Sequence, residues 1–227
     1  MSIVTDILNL IYPEVCLGCE TPLLDLEDVL CTSCIHLVPI AHHNLESDDK
    51  VRDLFYGRVD VIAGTSLFFY EKIGVVQQMI HQLKYKGRQE VGTLCGRWMG
   101  QLLRDDERYG QIDYVVPVPV HKQRLRQRGY NQVTKFGEEI GDALGSRFRE
   151  SVLIKTRNTR KQAQLGQRQR SDETQSPYEL REPLPSGSAV LLVDDVITTG
   201  TTLSLCAKAL QKIEGVQIYV ATIAVSV

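Results

Sequence analysis

VLLVDDVITTGTT, residues 190–202, sets the architecture of this 227-residue chain. Its apolar, β-branched first half predicts a strand that is buried on both faces of a sheet. Two adjacent carboxylates follow, and Leu203, Ala207 and Leu210 then have the three- and four-residue spacing of a helix. The order of strand, turn and helix predicts an α/β fold with a ligand site at the carboxyl edge of a parallel sheet.

The turn after this strand has the composition of an anion site. Gly200 permits backbone geometries that other residues disfavour, and the amides at the start of the helix can converge on a phosphate. The predicted phosphate-binding residues are Thr198, Thr199, Gly200, Thr201 and Thr202. Asp194 and Asp195 would repel a phosphate, but they can accept hydrogen bonds from sugar hydroxyls or hold a hard cation through water. A sugar phosphate fits both halves; the alternative is a strand whose acids and threonines only cap the helix.

The same stretch resembles the phosphoribosyl pyrophosphate (PRPP) motif of type I phosphoribosyltransferases, in which an acidic pair and a Thr/Gly loop bind ribose and 5′-phosphate. The resemblance implies that Asp194 and Asp195 bind the ribose and, in an enzyme, are the catalytic acids. It also implies that Mg²⁺ accompanies PRPP.

Composition narrows the class of protein. A chain with 43% hydrophobic residues and a net charge of −2 can bury one substantial core. It contains no apolar run as long as a membrane span, and its N-terminal segment lacks the basic flank of a secretory signal. We therefore expect a cytoplasmic protein without membrane insertion, whose cysteines stay reduced.

Two Cys-x-x-Cys pairs lie near the N-terminus: Cys16 with Cys19, and Cys31 with Cys34. Four thiolates suit tetrahedral Zn²⁺ and leave no open position, which predicts a structural metal site. A redox pair and an iron–sulfur site are the alternatives. We expect a small N-terminal module over residues 1–50, with an apolar helix over residues 3–11 packed on it, and a larger domain over residues 51–227.

Hydrophobic patterning places the remaining elements. Strands are predicted at 59–70, 113–116, 152–155 and 216–225, and helices at 72–85, at 90–103 and up to about residue 144. Cys95 and Cys206 lie within helical patterns, which favours buried core thiols over reactive ones. Lys84, at the end of a predicted helix, either faces the nucleotide site or is solvated.

A second loop site follows the strand at 113–116. Prolines 117 and 119 stop the hydrogen-bond ladder, so the chain must turn across the sheet edge, where its amides can face a diphosphate. Arg124, Arg126 and Arg128 alternate with other residues, which favours a clamp on several phosphate oxygens over one helical stripe. The predicted pyrophosphate-binding residues are Lys84, Val118, Pro119, Val120, His121, Arg124 and Arg128.

Positive charge is concentrated in one part of the chain. Residues 121–170 contain thirteen lysines and arginines against four acidic residues, although the whole chain is slightly acidic. This pattern favours a polyanion such as single-stranded nucleic acid, with a merely solvated surface as the alternative. The predicted nucleic-acid contacts are Arg124, Arg126, Arg128, Tyr130, Arg160 and Lys161. A segment at about 156–176 nearly lacks core residues and is expected to be a mobile loop that orders over ligand, with Arg157, Thr159 and Gln162 in its motif.

Taken in order, these motifs resemble the ComF family of competence-associated, phosphoribosyltransferase-like proteins over nearly the whole chain. The resemblance rests on the paired cysteine knuckles, residues 83–87 (LKYKG), 117–121 (PVPVH), 124, 128–132 (RGYNQ) and 157–165, and the PRPP motif. The sequence departs at Glu173, where the family usually carries Asn. The resemblance implies a type I phosphoribosyltransferase-like sheet flanked by helices, a role in natural transformation, and single-stranded DNA and a competence helicase as partners. Two classes stay open: a PRPP-consuming enzyme with a small nucleobase-like acceptor, or a PRPP-binding protein that holds DNA.

Overall fold

The computed structural model describes residues 13–41, 50–157 and 176–226. The apolar segment at 3–11 and the loop residues Thr159, Arg160, Lys161 and Gln162 lie outside these ranges. The expectations for them stay predictions, as does the domain boundary near residue 50.

Helices and strands alternate along most of the described chain. The helices are α1 (Thr32–Leu37), α2 (Val75–Tyr85), α3 (Glu90–Arg104), α4 (Lys122–Arg128), α5 (Thr134–Leu144) and α6 (Thr201–Leu210). The strands are β1 (Ala63–Tyr70), β2 (Tyr114–Pro117), β3 (Arg147–Phe148), β4 (Leu153–Lys155), β5 (Tyr178–Leu180), β6 (Ala189–Ile197) and β7 (Gln217–Ser226).

The central sheet is parallel throughout, in the order β1-β7-β6-β2-β3. β6, which contains the acid pair, lies in the middle with β7 on one side and β2 on the other. β4 and β5 form a separate antiparallel pair. The carboxyl ends of β6 and β2 therefore meet at one edge, where the two predicted loop sites come together.

Alternate residues of β6 enter two different cores. Leu191 and Val193 pack into the cluster that includes α2, α3 and α5, whereas Val190 and Leu192 pack into the cluster that includes α6 and the β4–β5 pair. Helices thus cover both faces, as parallel sheets require. The expected α/β class with a helix-flanked parallel sheet is confirmed.

The N-terminal module packs against α2 and shares its core. Cys16, Cys31 and Cys34 belong to the same buried cluster as Met79 and Leu83 of α2. A Cβ on Gly18 would stand only 2.8 Å from Val75 Cγ1, so the knuckle touches the first turn of α2. Near the other end of α2, Gln82 Nε2 donates a 2.8 Å hydrogen bond to Glu20 Oε1.

Glycines let α3 and α5 approach each other closely. A Cβ on Gly96 would lie 2.7 Å from the carbonyl oxygen of Phe136, and one on Gly100 would lie 2.6 Å from Ala143 Cβ. Side chains at these positions would force the helices apart. This contact seats α5 against the sheet, just after the loop that carries Asn131.

Several element boundaries differ from the predictions. β1 begins at Ala63 rather than at residue 59, because the amides of Arg58 and Val59 bond to the carbonyl of Phe55 and hold a turn there. α2 begins at Val75 because Gly74, with φ of 152°, precedes it.

Residues 122–128 form a helix, α4, that the alternation of the three arginines did not predict. The His121 side chain caps a helix there by accepting a hydrogen bond from the Gln123 amide (3.2 Å), and Gly129 ends it with φ of 83°. Arg124 and Arg128 are one turn apart and share a face, whereas Arg126 points elsewhere.

Candidate functional site

Four thiols from the two knuckles form one cluster. The Sγ atoms of Cys16, Cys19, Cys31 and Cys34 all lie within 4.8 Å of one another. Cys16 Sγ also accepts hydrogen bonds from the amides of Gly18 (3.3 Å) and Cys31 (3.2 Å). Hydrogen bonds from Thr21 lower the pKa of Cys19 to about 6, whereas burial raises the pKa of Cys34. The donor set and spacing are compatible with tetrahedral Zn²⁺.

The two cysteines outside this cluster are enclosed by the core. Cys95 on α3 and Cys206 on α6 are both fully buried, and burial raises the pKa of each thiol. Both are therefore inert core residues, as their helical patterns predicted.

The acid pair lies at the end of β6 in a pocket of about 640 Å³. Asp194 and Asp195 are 8% and 5% exposed, and Asp194 Oδ1 accepts a 2.9 Å hydrogen bond from the Asp195 amide. Burial first, and then the charge of Asp195, raise the pKa of Asp194 to about 8. At neutral pH Asp194 therefore holds a proton and can donate as well as accept.

Two lysines lie near the acid pair. Lys84, at the end of α2, places Nζ 2.9 Å from Asp195 Oδ1. The charge of Lys84, and then that of Lys155 at the end of β4, lower the pKa of Asp194 against the stronger effect of burial. Of the two alternatives for Lys84, the structure favours the one that places it at the site.

The turn after β2 lines the opposite side of the same pocket, with Val118, Pro119, Val120 and His121. Asn131 fixes this turn, since its Nδ2 donates a 3.0 Å hydrogen bond to the carbonyl of Val118. Asn131 is itself buried. The loop that precedes α5 thus controls which backbone groups face the pocket.

α4 divides the predicted basic residues into two groups. Arg124 and Arg128 line the pocket, whereas Arg126 is exposed and lies outside the lining. Arg128 bonds to Gln132 and its guanidinium lies 5.9 Å from the centre of the Tyr85 ring. The Tyr130 hydroxyl donates to the carbonyl of Leu83, so this side chain, expected at a nucleic-acid surface, also ties α5's leading loop to α2.

The Thr/Gly turn adopts the geometry that its composition predicted. Gly200 has φ of 68° and caps α6, a conformation that costs other residues about 1–2 kcal/mol. Thr202 lines the pocket, whereas the side chains of Thr198, Thr199 and Thr201 are exposed outside its lining. Arg58 Nη1 donates to the carbonyl of Thr199 (2.7 Å), so the segment before β1 braces the turn.

Sequence reasoning missed the β4–β5 pair as part of the pocket. Lys155 Nζ donates a 2.7 Å hydrogen bond to the Tyr178 hydroxyl, and both residues line the pocket. These residues flank 158–175 in the chain, and nothing in their local pattern distinguishes them from ordinary strand residues. The sequence pattern also did not indicate that Gln127 lines the pocket or that Arg58 contacts the Thr/Gly turn.

The chain matches known proteins over part of its length. The model of the Phosphoribosyl transferase domain family matches residues 133–226. "DNA utilization protein YhgH" of Salmonella typhi is 29% identical over 58% of this chain and 59% of its own. "Competence protein F" of Haemophilus influenzae is 27% identical over 62% of this chain and 65% of its own. The chain thus spans about three-fifths of the length of the curated relatives that it matches first.

Two further similarities are weaker or shorter. "Competence protein ComFC" of Streptococcus pneumoniae is 29% identical over 47% of this chain and 44% of its own. A solved adenine phosphoribosyltransferase covers 64% of this chain and 74% of its own at 17% identity, with a TM-score of 0.35, a value too low to support any argument. A phosphoribosyltransferase domain and similarity to proteins named for competence and DNA utilization support the resemblance to the ComF family.

Proposed function

We propose that this protein binds PRPP with Mg²⁺ in the acid-pair pocket and holds single-stranded DNA on the adjacent exposed basic surface during DNA uptake. One observation carries the PRPP part: the predicted ribose-binding acids and the predicted diphosphate-binding turn line the same pocket. Asp194 and Asp195 would take the ribose hydroxyls, and the helix start at Gly200 would take the 5′-phosphate.

The other side of the pocket suits the diphosphate. Val120, His121, Arg124 and Arg128 line the same pocket as the acids. Arginine forks match phosphate oxygens in pairs, which supports a clamp on the diphosphate. Mg²⁺ fits the same chemistry, because Asp195 presents a buried carboxylate oxygen, Oδ2, without a hydrogen-bond donor among the described residues. The ion would offset the charge of the diphosphate beside the acids.

DNA binding is supported by the relatives and by charge. Two of the relatives are named for DNA utilization or competence, and residues 121–170 carry thirteen lysines and arginines against four acidic residues in a chain whose net charge is −2. Arg126 is exposed beside the pocket, and Tyr85, 67% exposed at its rim, offers a ring on which a base can stack. Among the helices of the described ranges, none combines the length and apolar character needed to cross a bilayer.

Transfer of the phosphoribosyl group to a small nucleobase-like acceptor is the second candidate. It is favoured by the placement of cationic and acidic groups on opposite sides of one pocket, which would stabilise departing pyrophosphate while holding the ribose. Pyrophosphate release in the presence of candidate acceptors separates this enzyme from a binding protein.

Calorimetric titration of PRPP with Mg²⁺ tests the proposed site. The wild type should bind, and Asp194→Asn/Asp195→Asn should bind at least about tenfold more weakly, because Asp195 loses its charge and each amide has one acceptor oxygen where a carboxyl group has two. Asp142→Asn, an exposed acid on α5, is the matched control and should bind as the wild type does. Equal affinity of the double variant and the wild type would refute the assignment.

A further inference from the structure

We infer that Lys84 occupies the place of the divalent cation in the ligand-free protein, so that a metal ion enters only when an anionic ligand draws this lysine away from Asp195. The inference rests on the proposed PRPP–Mg²⁺ site and adds an order to its filling. Three observations support it: Lys84 contacts Asp195, both residues line the pocket, and Lys84 lies at the end of α2.

Asp195 has the features of a cation ligand that is only half used. Its side chain is 6% exposed, and Oδ1 is paired with the Lys84 ammonium at 2.9 Å. Oδ2 is buried and meets no hydrogen-bond donor within the part of the chain that the structure describes. A buried carboxylate is normally satisfied on both oxygens, so an unpartnered oxygen on a residue that lines a pocket indicates a place for a further ligand.

A lysine and a divalent cation cannot share this carboxylate. A metal ion at Asp195 would lie within a few ångströms of the ammonium, where repulsion between like charges is strong in a poorly solvated pocket. The ammonium already neutralises Asp195 without any metal. Free Mg²⁺ would therefore have to displace an ion pair as well as shed its own water.

The Lys84 side chain can move from Asp195 to another partner in the pocket. The Tyr130 hydroxyl donates to the carbonyl of Leu83, and the Leu83 side chain is fully buried. The backbone next to Lys84 is therefore held in place. The Lys84 side chain itself is 25% exposed and carries its charge on a flexible four-carbon stem. It lines the same pocket as the 118–121 turn. A diphosphate on that turn would supply a new counter-charge for the ammonium and leave Asp195 to the cation.

Mn²⁺ alone, used as a paramagnetic probe for Mg²⁺, tests this order. Titration followed by the resonance of free Mn²⁺ should show weak binding to the wild type without PRPP, and at least about tenfold tighter binding to Lys84→Met. Lys86→Met, which removes the same charge from an exposed position outside the pocket lining, should behave as the wild type. Adding Asp195→Asn to Lys84→Met should abolish the gain.

Thermal unfolding provides a second readout. Mn²⁺ should raise the Tm of Lys84→Met but not that of the wild type or Lys86→Met, because a ligand stabilises the state that binds it. Lys84→Gln serves the same purpose if the methionine variant does not fold. Equal Mn²⁺ affinity in the wild type and the Lys84 variant, including no binding to either, would overturn the inference. Failure of PRPP to bind the wild type would instead overturn the proposed function, because the Mn²⁺ comparison does not use PRPP.

Discussion

The four-cysteine cluster and the acid-pair pocket are assembled in opposite ways. All four thiols come from residues 16–34, whereas the pocket draws on side chains between Lys84 and Thr202. Two closely spaced cysteine pairs predict a metal site from the sequence alone. The pocket exists only after β2, β6, α2, α4 and the β4–β5 pair have packed. A substitution in the cluster should therefore act mainly on the cluster. Substitutions at different positions of the pocket should affect different binding contacts.

One helix joins the two regions. α2 contacts the module through Val75 and Gln82, and two residues further on it delivers Lys84 to Asp195. Damage to the module can thus reach the pocket through α2.

The largest effect should come from removing the metal. Structural zinc contributes on the order of 10 kcal/mol to a small module, so Cys31→Ala should lose both bound metal and the fold of residues 13–41. Elemental analysis should fall from about one equivalent of zinc to below about a tenth. Cys95→Ala is the control: its thiol is buried in α3, and that variant should lose stability but keep its metal. Full metal content in Cys31→Ala would show that this thiol is not a ligand.

The next effect separates the two groups of arginines on α4. Arg124→Ala/Arg128→Ala should weaken PRPP binding by about 10- to 100-fold, because each arginine can make charge-assisted bonds to phosphate oxygens. Arg126→Ala should leave PRPP binding unchanged. It should instead weaken single-stranded DNA binding and flatten its dependence on salt. Calorimetry and fluorescence anisotropy at several salt concentrations measure the two activities. An equal loss of PRPP affinity in both variants would contradict the assignment of Arg124 and Arg128, but not Arg126, to the PRPP site.

A smaller effect concerns how much the acid pair destabilises the folded, ligand-free protein. The pKa of Asp194 is about 8 in the folded state against 3.8 ordinarily, so the folded protein keeps a proton that the unfolded chain releases. Stability must then fall as pH rises from about 4 to about 8, because the folded state binds more protons. Asp194→Asn removes this loss and should be more stable than the wild type by about 1–3 kcal/mol near pH 9, and by less near pH 5.

Chemical denaturation of both proteins at the two pH values measures this difference. A stability difference that does not change with pH would mean that Asp194 does not hold a proton in the free protein. A gain in stability together with a loss of PRPP binding would show that the acids are retained for binding at the expense of stability.

The smallest effect tests the bridge between the regions. Gln82→Ala removes one hydrogen bond to Glu20 and should destabilise the module by about 1 kcal/mol. Zinc should then be lost to a chelator faster, while PRPP affinity changes little because the Lys84–Asp195 pair is untouched. Gln78→Ala, on the same helix, is the control. If a chelator removed zinc from Gln82→Ala no faster than from the wild type, this hydrogen bond would not connect the two regions.

Patterns of adjacent residues were sufficient for much of this molecule. The buried strand at 190–197, the turn at Gly200, the helix after it, the cysteine cluster and the core thiols Cys95 and Cys206 all follow from spacing and residue type. Each depends on interactions over a few residues: strand alternation, a left-handed cap, or thiols close enough to share one ion.

Only the tertiary structure decided what faces the pocket. The helix over residues 122–128 depends on its His121 cap and splits the arginines, which their alternation in the sequence did not predict. The partners of the acids, Lys84 and Lys155, come from elements on opposite faces of the sheet, and strand order placed β7 between β1 and β6. Contacts between distant segments depend on how whole elements pack, and packing energy is a property of matched surfaces that no short stretch of sequence contains.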